Sequence, residues 1–207
     1  MTYPGKTILI GSNNKNKISH FKRIFTEYGL DHQLITPKEL GILESPPETG
    51  TTFIANSELK AMYYAQASDK KYITISDDSG LCLDALSGAP GVYTADWANK
   101  GDFAPAIERL KRELLEAGCN LSDNHPASVV SMLTVAFPET NGKVLSFEGK
   151  TLGYVNFSAI NTEAIGFQSI FYPLPFNVPI YQLSQLQYDQ THSRTKALKL
   201  LIENVFL

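Results

Sequence analysis

Two adjacent carboxylates, Asp77 and Asp78, follow the stretch Tyr72-Ile73-Thr74-Ile75 in the run Ser76-Asp77-Asp78-Ser79-Gly80. The β-branched and aromatic stretch reads as a buried strand with the two acids at its end. Like charges side by side raise each other's pKa, so such a pair calls for a cation or a chemical task. Successive side chains of a strand point to opposite faces, which gives the two acids different roles, one facing the site more directly. Taken alone, Asp-Asp-Ser-Gly is equally the composition of a turn. A second candidate is the polar loop Gly11-Ser12-Asn13-Asn14-Lys15-Asn16-Lys17 between an apolar strand and a helix. That layout offers backbone N–H groups and the positive end of a helix to an anion, with Lys17 adding a full charge. It matches neither the Walker pattern nor the dinucleotide Gly-x-Gly-x-x-Gly pattern, and an ordinary loop with solvated lysines has the same composition. A third candidate is Glu48, in a loop ahead of a helix on which Asn56 and Lys60, four apart, share a face.

The elements that must position these groups are legible in outline. Thr7-Ile8-Leu9-Ile10 reads as a buried strand, and Ile18, Phe21, Ile24, Phe25 and Tyr28 give a helix closed by Gly29. Gln33-Leu34-Ile35 reads as an edge strand. After Pro46-Pro47, a helix capped by Thr51 or Thr52 takes its apolar side from Phe53, Leu59, Met62 and Tyr63. Ala89-Pro90-Gly91 marks a turn. Ala104 to Ala117 is an amphipathic helix on Ile107, Leu110, Leu114 and Leu115, with Asp102 near its start. Ser128–Phe137 and Lys143–Glu148 form a hairpin turning at Thr140-Asn141-Gly142. Ile165 to Phe171 is strand-like, a loop spaced by Pro173, Pro175 and Pro179 follows, and the last helix carries Ala197, Leu198, Leu201, Ile202 and Val205. Alternating helices and strands followed by a hairpin-rich middle predict an α/β protein with a mixed sheet.

The chain has 207 residues, enough for a good core in one domain or two small lobes, and its hydrophobic and charged fractions are those of a globular protein. A net charge of −3 argues against a broad nucleic-acid surface but leaves room for a nucleotide pocket. Two cysteines, Cys82 and Cys119, make neither a disulfide framework nor a zinc cluster, and Cys82 reads as core packing. The first residues have no signal-peptide layout and no segment has the ~20 apolar residues of a membrane helix, so the expected location is the cytoplasm, with no membrane partner.

The motifs together resemble one family. Ile8 to Lys17, then Glu48-Thr49-Gly50-Thr51-Thr52-Phe53 with Asn56 and Lys60-Ala61, then Ser76 to Tyr93 lie in the order and spacing of the inosine triphosphate pyrophosphatase family, the Ham1/RdgB-like proteins. The resemblance covers nearly the whole length, residues 1–207, as a single pyrophosphatase-like domain. It implies an α/β fold of two lobes around a long curved mixed sheet, usually a homodimer, with the nucleotide in the cleft between lobes. It implies Mg2+-dependent hydrolysis of purine nucleoside triphosphates with deaminated bases (ITP, dITP, XTP) to the monophosphate and pyrophosphate. By the motif match, Asp78 corresponds to the general base and a metal ligand, Glu48 to a metal-site carboxylate, and Asp77 to a supporting acid. Ser12, Asn14, Lys17, Lys60 and Ser79 would hold the phosphate chain. Phe167, Gln168 and Arg194 fall in the part that binds the rest of the substrate.

That C-terminal part departs from the pattern. The family's Gly-Phe-Gly-(Tyr/Trp)-Asp-Pro-x-Phe stands here as Ala164-Ile165-Gly166-Phe167-Gln168-Ser169-Ile170-Phe171, so Ile165 replaces the stacking phenylalanine and Gln168 the aspartate that contacts the purine. An ionised aspartate only accepts hydrogen bonds, whereas glutamine also donates. Anchored on Ala197-Leu198-Lys199, Arg194 keeps the arginine place of Lys-Asn-x-x-Ser-His-Arg, Ser193 takes that of the histidine and Tyr188 that of the lysine. His192 is displaced by one residue, ~100° around a helix. Asp96 stands where an arginine is frequent, and Tyr93 and Trp97 read as core or dimer-interface aromatics. Two alternatives follow: a hydrolase of the same mechanism with changed base preference, and a nucleotide-binding module without turnover.

Overall fold

The computed structural model of the protein describes residues 7–98, 102–138, 142–161 and 164–207. Its strands are β1 (Thr7–Ile10), β2 (Gln33–Ile35), β3 (Ile73–Leu83), β4 (His125–Ala136), β5 (Val144–Val155) and β6 (Phe171–Pro173). Its α-helices are α1 (Lys15–Glu27), α2 (Phe53–Ala67), α3 (Ala104–Glu116), α4 (Gln185–Thr191) and α5 (Ser193–Val205). The strands form one sheet in the order β2-β1-β3-β4-β5-β6. β1 is parallel to both β2 and β3, and β5 is antiparallel to β6, so the α/β class with a mixed sheet is as expected. The turn expected at Thr140 and Asn141 and the leading residues Met1–Lys6 lie outside the described residues.

The chain forms two compact units. The first is Met1–Asp78, Ser131–Gly149 and Arg194–Leu207; the second is Ser79–Val130 and Lys150–Ser193. In the first unit, Ile8, Ile10, Ile73 and Ile75 pack with Phe21, Ile24 and Phe25 of α1 and Ala197, Leu198, Leu201 and Ile202 of α5. Leu9, between Ile8 and Ile10, joins Tyr64 of α2 in a separate cluster, as the two-residue period of a strand requires. So α1 and α5 cover one face of the parallel strands and α2 the other. Helix α1 begins where Asn14 accepts from the backbone N–H groups of Asn16 and Lys17, and α2 where Thr52 accepts from that of Ala55. The second unit has its own core, in which Leu81 and Leu83 meet Ile107, Leu110 and Leu114 of α3 together with Phe167, Ile170 and Phe171.

Several expectations are corrected. The strand that carries the acids does not end at them: β3 continues through Asp77 and Asp78 to Leu83. The buried face of α2 is Asn56, Ser57, Lys60, Ala61, Tyr64 and Ala65, while Met62 is 49% exposed. The polar members are buried because they have partners, Ser57 through Thr134 Oγ1 at 2.7 Å and the other two through the acids described below. Leu115 lies on the outer side of α3. Ile165 to Ile170 is a run of turns, and only Phe171 enters a strand. Gly166 has φ +65, a left-handed conformation that glycine adopts without strain. The chain then folds on itself through bonds from Gln168 N–H to the Ile165 carbonyl and from Ile170 N–H to that of Phe167. Helix α4, which was not expected, is closed at its start by a reciprocal Ser184–Gln187 capping box.

Leu201 is fully buried and its neighbour Leu200 is 45% exposed. Leu201→Ala is expected to cost about 2–5 kcal/mol in chemical denaturation, because it leaves a cavity between α5 and the sheet. Leu200→Ala is expected to stay within about 0.5 kcal/mol.

Candidate active site

The two-residue period that sorts the apolar side chains of β3 continues into its acids. Ile73 and Ile75 point to the α1/α5 face. Two residues further on, Asp77 meets Lys17 of α1 and Arg194 of α5. Asp78, one position out of phase, meets Lys60 of α2. The different roles expected of the two aspartates therefore have a geometric basis in the strand itself.

Asp77 is buried, 3% exposed, and each carboxylate oxygen has its own cation. Oδ1 takes the Lys17 ammonium in a close ion pair, and Oδ2 accepts from Arg194 Nε at 2.5 Å. Burial alone would favour the neutral acid. Arg194 and Lys17 outweigh it, and the carboxyl is held far below the usual carboxylate range. Lys17 shifts down, because burial and the repulsion of Arg194 and Lys60 exceed the attraction of Asp77. One carboxylate faces two cations, so this set carries a surplus of positive charge.

The neighbouring set has the opposite balance. Lys60 Nζ lies 2.8 Å from Asp78 Oδ1 and 3.2 Å from Glu48 Oε1, so two carboxylates converge on one cation. Burial, reinforced by the charge of Glu48, pushes Asp78 up to about 6 despite the Lys60 contact. Lys60 shifts upward: burial pulls it down, and Asp78 and Glu48 more than compensate. Asn56 ties the set together. Its Oδ1 accepts from Gly50 N–H at 2.8 Å in the loop that carries Glu48, and its Nδ2 reaches Asp78 Oδ2 at 3.5 Å. A Cβ on Gly50 would stand 2.6 Å from that Oδ1, so glycine is required for the approach. The same loop is pinned again where Tyr64 Oη donates to Ser45 Oγ at 3.1 Å.

The polar loop before α1 is shaped by its own side chains. Ser12 Oγ accepts from Asn14 N–H at 3.2 Å, Asn13 Oδ1 from Lys38 N–H at 3.2 Å, and Asn14 Oδ1 from Asn16 N–H at 3.0 Å. Ser12 and Asn14 thus have local capping roles in addition to the phosphate role expected from the sequence. Of the expected site residues, Lys17, Asp77 and Arg194 come together, as do Glu48, Lys60 and Asp78. Arg194, whose place at a helix start also allows a solvated side chain, is half-buried, with its guanidinium against Asp77. Asn56 is the residue that reading the sequence left without a role; its four-residue spacing to Lys60 is the signal that points to it.

The remaining candidates belong to the second unit. Ser79 is half-buried at the point where β3 enters it. Phe167 is buried, with its ring centroid 5.2 Å from that of Phe103 in an edge-on contact. Gln168 is half-buried and Ile165 is exposed. His192 ends α4, with its ring centroid 4.6 Å from that of Tyr188. Tyr93 is exposed, and Trp97 carries the guanidinium of Arg109 4.0 Å from its ring centroid. Among the described residues, no three His, Cys, Asp or Glu side chains gather where they could enclose a metal ion.

A family model described as the Ham1 family matches residues 8–204. A dITP/XTP pyrophosphatase of Agrobacterium fabrum is 37% identical over 191 residues, spanning 90% of this chain and 85% of that protein. One of Ruegeria pomeroyi is 32% identical over 209 residues, spanning 99% and 97%. Among solved structures, the Staphylococcus aureus Ham1 protein superposes with a TM-score of 0.79 at 33% identity, covering 94% of this chain and 95% of that one. A HAM1 protein from Coxiella burnetii gives 0.77 at 26% identity with the same coverage.

The unequal surroundings of the two aspartates can be read directly. In a carbon-13 NMR titration of the protein without nucleotide or metal, the Asp78 carboxyl is expected to titrate with a midpoint near 6. The Asp77 carboxyl is expected to show no step near pH ~3.9, where an ordinary aspartate titrates.

Proposed function

Because the chain belongs to the Ham1 family, we propose that it is a nucleoside triphosphate pyrophosphohydrolase converting non-standard purine nucleotides (ITP, dITP, XTP) to the monophosphate and pyrophosphate. The observation that carries the reading is the division of charge around β3, cation-rich at Asp77 and anion-rich at Asp78. A triphosphate needs positive charge along its outer phosphates and a base beside the phosphorus under attack, and the two sets supply these from adjacent residues.

In this reading Asp78 orients a water molecule and accepts its proton as the oxygen attacks the α-phosphorus in line. A carboxylate raised to about 6 is ionised near neutral pH and is a better proton acceptor than an ordinary aspartate. Lys60 steadies Asp78 and offsets charge on the phosphates. Lys17 and Arg194, held by Asp77, bind the departing pyrophosphate, where negative charge accumulates. Ser12 and Asn14 line the phosphate path. Asp77 itself transfers no proton; its ionised form aligns the two cations.

The residues present fit Mg2+. Two carboxylates already converge on a single positive centre, the Lys60 ammonium. Mg2+ is commonly held by one or two carboxylates together with substrate phosphates and waters, without an all-protein cage. Glu48 and Asp78 would hold it. When bound it would neutralise phosphate charge and make water easier to deprotonate.

One observation favours a shifted base preference within the same chemistry. Phe167 packs against Phe103 in a core, and the side chains left more open beside it are Ile165 and Gln168. An exposed aliphatic group and an amide that both donates and accepts discriminate base edges differently from a carboxylate. No helix of the described residues is long and apolar enough to cross a membrane. We read residues 1–207 as one pyrophosphatase-like domain of two lobes, working as a cytoplasmic homodimer.

Pyrophosphate release from ITP, dITP, XTP, the standard dNTPs and UTP, with and without Mg2+, tests the proposal. Release is expected to require the metal and to favour deaminated purines. Asp78→Asn is expected to lower kcat by about 10²–10⁴-fold, the range contributed by a positioned general base. Nucleotide binding without release from any substrate would replace the hydrolase with a binding module.

A further inference from the structure

The two cations on Asp77 come from different helices, so their separation depends on how α1 and α5 are set against each other. Phe21, Ile24 and Phe25 of α1 share one apolar cluster with Ala197, Leu198 and Leu201 of α5. Apolar contact is strong but non-directional, and it specifies an axial register poorly. Within that interface lies a directional contact between the two helices, His20 Nε2 to Thr195 Oγ1 at 2.8 Å. Both side chains are buried, His20 5% and Thr195 0% exposed. His20 lies three residues after Lys17, on the same face of α1 one turn on. Thr195 directly follows Arg194.

We infer that His20 and Thr195 are positioning residues, whose hydrogen bond fixes the register of α1 against α5 and thereby the spacing of Lys17 and Arg194 around Asp77. The inference deepens the hydrolase reading and rests on it for its kinetic consequence. An ammonium has three donors and a guanidinium five, more than a single carboxylate can engage. A phosphate chain meets both cationic groups only if they stand at the right separation. A buried polar contact that costs desolvation and fixes a register in return is a known use of such pairs. Neither His20 nor Thr195 touches substrate; each acts through the cation beside it.

The test uses the full chain with Mg2+, well below its melting temperature, and follows two readouts. The first is kcat/KM for dITP together with the inhibition constant for inorganic pyrophosphate, which probes the cations without the base. The second is proton exchange at Arg194 Nε–H by NMR, which reports the Asp77 contact whether or not the protein turns over. Thr195→Val removes the hydroxyl at nearly constant shape. It is expected to lower kcat/KM about tenfold, weaken pyrophosphate inhibition by a similar factor and speed Nε–H exchange at least about tenfold. Thr195→Ser, which restores the hydroxyl, is expected to stay within about twofold of the parent in all three. His20→Gln keeps a nitrogen at similar reach and is expected to change each by less than about threefold. His20→Leu combined with Thr195→Val is expected to lose less than the sum of the two single losses, since both remove the shared contact.

A lowered melting temperature with kcat/KM, inhibition and exchange all unchanged in Thr195→Val would make the contact merely structural and overturn the inference. If that variant does not fold, His20→Leu with kcat/KM, pyrophosphate inhibition and Nε–H exchange all unchanged overturns it instead. A parent protein that releases no pyrophosphate defeats the hydrolase reading. In that case faster exchange in Thr195→Val and its recovery in Thr195→Ser still decide the positioning role.

Discussion

A buried carboxylate between two cations is the constraint on which the first unit depends. Asp77 cannot be ionised in the interior without compensation, since isolating one charge from water costs several kcal/mol or more. Lys17 and Arg194 give that compensation, and each is a first-turn cation of a helix packed on the same face of the sheet. Removing Asp77 would leave the two cations facing each other without the carboxylate that holds them. The electrostatic requirement and the hydrophobic one thus demand the same arrangement of β1, β3, α1 and α5.

Strand periodicity turns that local constraint into a division of labour. Asp77 and Asp78 are chemically identical and adjacent, yet they differ sharply in proton affinity because the pleat hands them to different helices. One is so well compensated that it is inert as a base. The other is buried with a second carboxylate nearby and a single shared lysine, which leaves it eager for positive charge. Separating two like groups by environment is a recurrent way to assign acid–base roles near neutral pH. Here a one-residue offset on a strand achieves it.

Local physics made much of this legible beforehand. The shared face of Asn56 and Lys60 follows from helix spacing, the cap at Thr52 from side-chain reach, and the unlike fates of the two acids from the pleat. The Asp77–Arg194 contact joins residues 117 apart, and no local pattern announces a pairing at that distance. The inward face of α2 differs from the expected one for a related reason. Polarity normally marks the solvent side of a helix, but Asn56, Ser57 and Lys60 are buried because partners on distant segments satisfy them. Ile165 to Ile170 has the composition of a strand, and a left-handed glycine overrides that composition by folding the backbone into turns.

The placement of Arg194 on α5 also has a meaning for the protein during its synthesis. Chains emerge from the ribosome N-terminal end first, and α5 is the last described element to appear. Until it does, Asp77 has Lys17 but not Arg194, and the apolar face formed by Ile8, Ile10, Phe21 and Ile24 lacks its cover from Ala197, Leu198, Leu201 and Ile202. A product cut short before this helix is therefore not a weaker version of the whole. It presents an exposed greasy surface beside a carboxylate that lacks one of its two cations, the kind of surface that chaperones and proteases recognise.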